Sequence, residues 1–303
     1  MSERVRILFV DDEERILRSL ALQFRREYEV LTESDPRRAL ERLKTESVHV
    51  LVSDQRMPGM SGAELLAAAQ QIAPQTLRIL LTGYSDLDAA VDALNNGGIF
   101  RYLTKPWDAQ EMAFTLRQAG EMALRQAPMA PLSRVLLPAA LNVLLLDDDP
   151  QTLAVVADFC VAGGHRLLCA ASVAQALQVL NQESINLLVS DLSLAGENLA
   201  PLLKTLAQLH PRLLSLVVTP FQDTQALLKL INEAQIFRYL PKPIRKGLFD
   251  KGLQAAAGQA LLLRDQPTER VVRLPTPPRD EREREKVGSL MGMLGRLRER
   301  LSA

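Results

Sequence analysis

The chain has 303 residues, 47% of them hydrophobic and 24% charged, which suits about two domains with sizeable cores and excludes disorder as the main state. Its 36 basic and 36 acidic side chains cancel to a formal charge of zero, so no global positive field draws it to nucleic acid or to an anionic membrane. Apolar runs such as 213–218 fall short of the roughly 18 residues of a membrane span, and the start, MSERVRILFVDDEE, meets acids before a signal-peptide core could form, so a cytoplasmic protein is expected.

In chain order, residues 5–10, 48–52 and 77–81 are short, mostly apolar runs of the kind that a parallel sheet buries on both faces. Stretches 13–27, 36–45, 62–72, 85–96 and 108–126 carry apolar residues at helical spacing, with Ser/Asp-type starts and an Asn95-Asn96-Gly97-Gly98 stop. Residues 99–103 read IFRYL and stand one residue ahead of Lys105-Pro106. Pro128, Pro131 and Pro138 then mark residues 127–139 as a linker.

Beyond that linker the chain repeats itself. IFRYL returns at 236–240 ahead of Lys242-Pro243, an offset of 137 at which Thr82 falls on Thr219 and Ser53-Asp54 on Ser190-Asp191. Asp11-Asp12 falls on Asp147-Asp148 at an offset of 136. Four landmarks at nearly one offset indicate a duplicated domain. The second copy has strands near 143–146, 166–170, 186–189, 213–218 and 236–240, with helices starting at Gln151, Ser172, Leu199, Asp223 and Ile244. Each half is therefore expected to be a (βα)5 unit of the α/β class, a doubly wound parallel sheet, over residues 1–126 and 140–265.

Residues 266–303 change character, with four prolines between Gln266 and Arg279 and dense charge after Asp280. Within that charged part Val287, Leu290, Leu294, Leu297 and Leu301 recur at the spacing of a coiled-coil seam, although Gly288, Gly292 and Gly295 each weaken a helix by roughly 1 kcal/mol. The expectation is an amphipathic tail that forms a homodimer or docks a partner helix.

Sites in doubly wound sheets lie outside the carboxyl ends of the strands. Asp11 and Asp12 end the first strand, Asp54 the third, Thr82 the fourth and Lys105 the fifth. Three carboxylates on one rim repel unless a hard cation sits among them, and Mg²⁺ suits carboxylates and water with positions left for phosphate oxygens. A hydroxyl and an ammonium opposite the acids supply the donor and the charge that a phosphoryl group requires.

DD at the first strand end, SDQRMPGMSG around Asp54, LTG at Thr82 and YLTKPW at Lys105 resemble the receiver domain of two-component response regulators. The resemblance covers 1–126 and, less cleanly, 140–265, and the IFRYLTKPW string is similar to receivers joined to HD-GYP-type domains and to some transcriptional activators. It implies a CheY-like, flavodoxin-like fold, with Asp54 as phosphoryl acceptor and Mg²⁺ held by Asp11, Asp12, Asp54 and the main-chain carbonyl of Arg56. It also implies that Thr82 bonds the phosphoryl group, Lys105 pairs with it, and Tyr102 is an aromatic switch. In the second half the same resemblance places the acceptor at Asp191, its companions at Thr219 and Lys242, the metal shell at Asp147, Asp148, Asp191 and the Ser193 carbonyl, and the switch at Tyr239. This half departs at Ser193–Asn198, where SLAGEN replaces MPGMSG, and at Pro220, which replaces Gly83. Whether Asp191 accepts phosphate or the second half only binds a partner stays open.

His49, His165 and His210 lack the setting of a transfer histidine, and no P-loop occurs, so the phosphoryl donor is expected from outside: a sensor histidine kinase, a phosphotransfer protein or a small phosphodonor. Cys160 and Cys169 lie in apolar surroundings without CxxC spacing and are expected as buried reduced thiols. Arg101 and Arg238 are expected as salt-bridge formers or solvated strand ends. No stretch after residue 265 has the length of a DNA-binding or cyclic-di-GMP domain, so output through a downstream effector protein is expected, with no nucleic acid and no membrane involved. The chain would then be no enzyme beyond its own phosphorylation and dephosphorylation. A haloacid-dehalogenase-type phosphohydrolase on a similar sheet would need its nucleophile in a DxD motif on the first strand, which the DD pair does not offer; a phosphate sink or adaptor is a variant of the switch.

Overall fold

The computed structural model describes residues 4–83, 87–125, 140–210, 212–220, 230–234 and 236–265, in two units, Met1–Ala130 and Pro131–Ala303. The expected linker 127–139, the tail 266–303 and the helix start at Asp223 lie outside the described residues.

In the first unit β1 (Arg6–Val10), β2 (Glu29–Glu33), β3 (Val50–Asp54), β4 (Leu77–Thr82) and β5 (Arg101–Thr104) form one parallel sheet in the order β2-β1-β3-β4-β5. The apolar runs are central because helices cover both faces, and every residue of β3 and β4 is buried. The edge strand β2, EVLTE, is only half-buried, so its sequence carries no continuous apolar run. The helices are α1 (Glu14–Phe24), α2 (Pro36–Thr45), α3 (Gly62–Ile72), α4 (Leu87–Gly97) and α5 (Ala109–Arg125). Leu17, Leu20 and Phe24 form the inward stripe of α1, and Phe24 stacks on Phe9 of β1 at 6.1 Å between ring centres. Asp35 caps α2 by accepting from the Arg37 amide at 2.8 Å, with Pro36 in the first turn. Ser61 and Glu64 close a reciprocal capping box at the start of α3.

The second unit repeats this plan with β6 (Asn142–Leu146), β7 (Arg166–Cys169), β8 (Leu187–Ser190), β11 (Leu214–Pro220) and β12 (Arg238–Lys242), in the order β12-β11-β8-β6-β7. Its helices are α6 (Pro150–Gly163), α7 (Val173–Gln182), α8 (Ala200–Leu209) and α9 (Lys246–Asp265), with further helical residues at 230–233. Between β8 and α8 lies an element with no counterpart in the first unit: a two-stranded hairpin of β9 (Ser193–Leu194) and β10 (Glu197–Asn198). Its two-residue turn is Ala195-Gly196, both at positive φ (50° and 80°), a geometry that matches the twist of a hairpin and that glycine adopts freely.

Two expectations need correction. Cys160 is buried, but Cys169 is exposed, because β7 is an edge strand that leaves its last side chain uncovered. Arg101 is no solvated strand end: it is 3% exposed, donates to Gln118 Oε1 at 2.6 Å and lies over the Phe100 and Phe114 rings. His49 and His165 serve the backbone, their Nδ1 atoms accepting from the Arg6 and Leu141 amides.

Lys204 of α8 and Glu233 form an ion pair with both side chains almost fully buried, at positions held by Ala67 and Asn96 in the first unit. Removing one partner strands the other charge, so Lys204→Met is expected to destabilise the second unit by about 3–5 kcal/mol, and the double change with Glu233→Leu to recover most of that. Urea denaturation of the full chain measures both, and equal losses in single and double variants would contradict the pairing.

Candidate functional site

The sheet order reverses between β1 and β3 in the first unit, which opens a crevice at their carboxyl ends. Asp11 and Asp12 follow β1 directly and Asp54 closes β3, so three carboxylates meet there. One oxygen from each of Asp11, Asp12 and Asp54 lies within 4.8 Å of the others. Lys105, one residue past β5, reaches across the crevice and places Nζ 2.7 Å from Asp54 Oδ1 and 3.0 Å from Asp11 Oδ2. The Arg56 amide donates to Asp54 Oδ2 at 3.2 Å, and Thr82, buried at the end of β4, donates to the Gly83 carbonyl.

Two glycine-dependent and capped features hold Asp54 in place. Gln55 accepts from the Gly62 and Ala63 amides through its carbonyl and its Oε1, tying the end of β3 to the start of α3. A Cβ on Gly62 would lie 2.1 Å from the Asp54 carbonyl oxygen, so only glycine allows the helix to approach the strand this closely.

Burial pushes the Asp54 carboxyl above the ordinary aspartate range, with the neighbouring Asp11 charge adding and Lys105 opposing. Burial pulls the Lys105 ammonium down, but its bonds to Asp54 and Asp11 outweigh that and hold it above the usual lysine range. The donor set is all carboxylate and partly solvated, a fit for a hard divalent cation such as Mg²⁺ and a poor one for thiolate-seeking metals.

In the second unit Lys242 makes the corresponding bridge, with Nζ 2.6 Å from Asp191 Oδ2 and 2.9 Å from Asp147 Oδ1. It also comes within 3.7 Å of Asp149. Asp148 is exposed and accepts from the Ala195 amide of the hairpin at 3.4 Å. Among the described residues, the close meeting of three acid oxygens belongs to the first unit. Oδ2 of Asp147 is buried without a hydrogen-bond partner, and burial raises that carboxyl. Thr219 is buried beside Pro220, and Ser193 is exposed at the start of β9. Tyr102 and Tyr239 are both buried, the Tyr239 hydroxyl donating to the Thr219 carbonyl at 3.3 Å, and burial pushes that phenol up to about 12.

The profile of the response regulator receiver domain matches residues 7–117 and 143–253. The chain belongs to the response regulator receiver family. It carries two receiver domains in tandem. The hydrogenase transcriptional regulatory protein HoxA of Bradyrhizobium diazoefficiens is 35% identical over 122 residues, 40% of this chain and 25% of that protein. The transcriptional regulator NtrC of Escherichia coli is 45% identical over 80 residues, 26% of this chain and 17% of its own length. The chain thus spans about a quarter or less of these curated relatives. Among solved structures, the receiver domain of an HD domain-containing protein from Pseudomonas fluorescens Pf-5 is 41% identical, covering 41% of this chain and 92% of that one with a TM-score of 0.40. No helix among the described residues is long and apolar enough to cross a membrane.

The first receiver gives two tests. Gly62→Ala is expected to displace Asp54 and to cost about 1–3 kcal/mol, with loss of labelling by a small phosphodonor; labelling at the native rate would show that α3 has room to retreat. In the metal-free protein Asp54→Asn is expected to raise the melting temperature of the first receiver near neutral pH. The ionised form of Asp54 is disfavoured in the fold, so its penalty is present above its raised pKa and vanishes below the unfolded value of about 3.9. Thermal melts from about pH 8 to about pH 4 should show the advantage of the variant shrinking toward acid, and an advantage that grows toward acid would reverse the sign.

Proposed function

We propose that the chain is a phosphorylation-dependent signalling switch in which Asp54 accepts a phosphoryl group in a Mg²⁺-dependent reaction. The observation that carries this reading is the meeting of Asp11, Asp12 and Asp54 around one point with the Lys105 ammonium bound to two of them. A carboxylate acceptor needs its repulsion with the incoming phosphoryl oxygens cancelled, and Lys105 is the cation already within reach. Asp11, Asp12, Asp54 and the Arg56 carbonyl would hold Mg²⁺, which when bound neutralises charge on the phosphoryl oxygens.

One Asp54 oxygen attacks the phosphorus of the donor while the donor's P–N bond (phosphohistidine) or P–O bond (acyl phosphate) breaks and its imidazole or carboxylate leaves, and Lys105 exchanges its bond to Asp54 Oδ1 for one to a phosphoryl oxygen. The Thr82 hydroxyl, which now donates to the Gly83 carbonyl, turns to the same group. Tyr102 lies on β5 opposite Leu80, two pairs from the Thr82–Thr104 pair with Leu81–Leu103 between, so a shift of Thr82 reaches the buried phenol through the same pair of strands. Phosphorylation then acts as a population shift between two arrangements of this end of the sheet, read by an effector protein.

The phosphoryl donor is a histidine kinase, a phosphotransfer protein or a small acyl phosphate, in the cytoplasm, and the chain turns over no other substrate. In the second receiver Asp191, Thr219 and Lys242 have the parts for the same chemistry, with Asp147, Asp148 and the Ser193 carbonyl as metal ligands. There the hairpin amide of Ala195 competes for Asp148, so acceptance at Asp191 is slower. Buried Asp147 Oδ2, without a partner, supports a cation at this site as well.

Acetyl phosphate with Mg²⁺ should add a phosphoryl group at Asp54, followed by mass spectrometry of the wild type, Asp54→Asn, Asp191→Asn and the double variant. The expected result is loss of the fast label in Asp54→Asn and of a slower one in Asp191→Asn. Full labelling of the first receiver in Asp54→Asn would refute the acceptor, and equal rates at both aspartates would remove the role of the hairpin.

A further inference from the structure

Helix α6 of the second receiver presents a largely apolar side to solvent where the matching helix of the first receiver presents two arginines around an exposed Leu22. Leu153 is 42% exposed and Val161 83%, with Ala154 exposed and Ala157 half-buried between them. These positions fall within about 100° of one another on the helix, and the one charged residue of α6 is Asp158. At the repeat offset of 136, Ala154 stands where α1 has Arg18, and Val161 where Arg25 follows α1. Arg18 is solvated and paired with Glu14. Between those two arginines α1 exposes Leu22, 62% accessible, where α6 has Asp158, so the second copy has lost both arginines of this side and gained one acid, and its exposed valine, leucine and alanine mark an interaction surface.

We propose that this face of α6 is the docking site for residues 287–301 of the same chain. Val287, Leu290, Leu294, Leu297 and Leu301 form an apolar seam that a lone helix of that length, carrying three glycines, cannot maintain without a surface to cover it. The described chain ends on a helix packed against α6: Leu263 of α9 shares one core cluster with Val156 and Cys160 on the inward side of α6. Residues 266–286 extend to at most about 70 Å, ample to bring the seam back onto α6, and such a tether holds it at an effective concentration of order millimolar. Lengths agree, since the seam as a helix spans about 22 Å and α6 about 21 Å. Charges agree as well: Lys286, Arg298 and Arg300 flank the seam at the positions beside a partner helix, opposite Asp158.

The test uses the full chain with trypsin, whose cleavage after Arg296, Arg298 and Arg300 is followed by mass spectrometry. Three proteins are compared: the wild type, Val161→Arg, which restores the charge that the first receiver has at this place, and Leu294→Asp with Leu297→Asp. Both variants change solvent-facing or seam positions, and circular dichroism confirms the fold. The expected outcome is cleavage about tenfold faster in each variant than in the wild type, because cleavage tracks the undocked population. Protection in the wild type should also be the same at every protein concentration. Unchanged cleavage in Val161→Arg would overturn the proposal, as would wild-type cleavage as fast as that of the tail variant. Protection that grows with protein concentration, together with a dimer in sedimentation, would overturn it in favour of a second copy on this face.

Discussion

An ammonium on the last strand of each sheet binds carboxylates on the first and the middle strand, and the fold is arranged so that this bridge can form. Lys105 and Asp11 are separated by 94 residues of chain, Lys242 and Asp147 by 95, yet each pair meets at 3.0 Å or less. Loop flexibility could not achieve this. It depends on continuous parallel register from β2 to β5, with Asp54 opposite Leu81 and Thr82 opposite Thr104, so that every strand delivers its terminal residue to the same rim. Strands buried on both faces supply the rigidity, and α3 locks the middle strand through Gly62 and Gln55. The acids on this rim would repel one another without the half-buried lysine that bridges them.

Duplication has kept this bridge and changed what surrounds it. The first receiver keeps Asp12 free to join Asp11 and Asp54, whereas the second turns Asp148 toward the Ala195 amide of a hairpin that the first lacks. On the outer side the changes run the other way: charged side chains of α1 give way to alanine and valine on α6, and a buried Lys204–Glu233 pair replaces small and neutral residues between α8 and the helical residues at 230–233. The second receiver thus retains the cation bridge while it differs in the cover over one acid and in the residues of its outer helix. Specialisation after duplication acts through loops and surfaces because the strand ends tolerate little change.

Much of this was legible from residues alone. Apolar runs marked β1, β3, β4 and four strands of the second sheet, and the repeated IFRYL string marked β5 and β12, nine of the ten main strands. The tenth, β2, escaped because an edge strand such as Glu29–Glu33 alternates weakly and ends in charge. The internal repeat identified the rim residues Asp11, Asp12, Asp54, Thr82 and Lys105, because chemistry at strand ends fixes both residue type and spacing along the chain. The sequence could not reveal the hairpin at Ser193–Asn198, whose two-residue strands are too short for periodicity and whose Ala-Gly turn lacks the usual Asn-Gly signature.

The amino-acid order determined the duplicated (βα)5 plan and the set of acids, hydroxyls and lysines offered at each rim, for these follow from local periodicity and from residue identity. Only the tertiary structure decided which of those groups meet. Asp12 joins its neighbours and Asp148 faces a hairpin amide; Arg101 lies beneath Phe114 with Gln118 as partner, and Cys169 stands open at a sheet edge. Each of these outcomes depends on contacts between residues far apart in the chain, which are a property of the packed sheet and helices rather than of any segment.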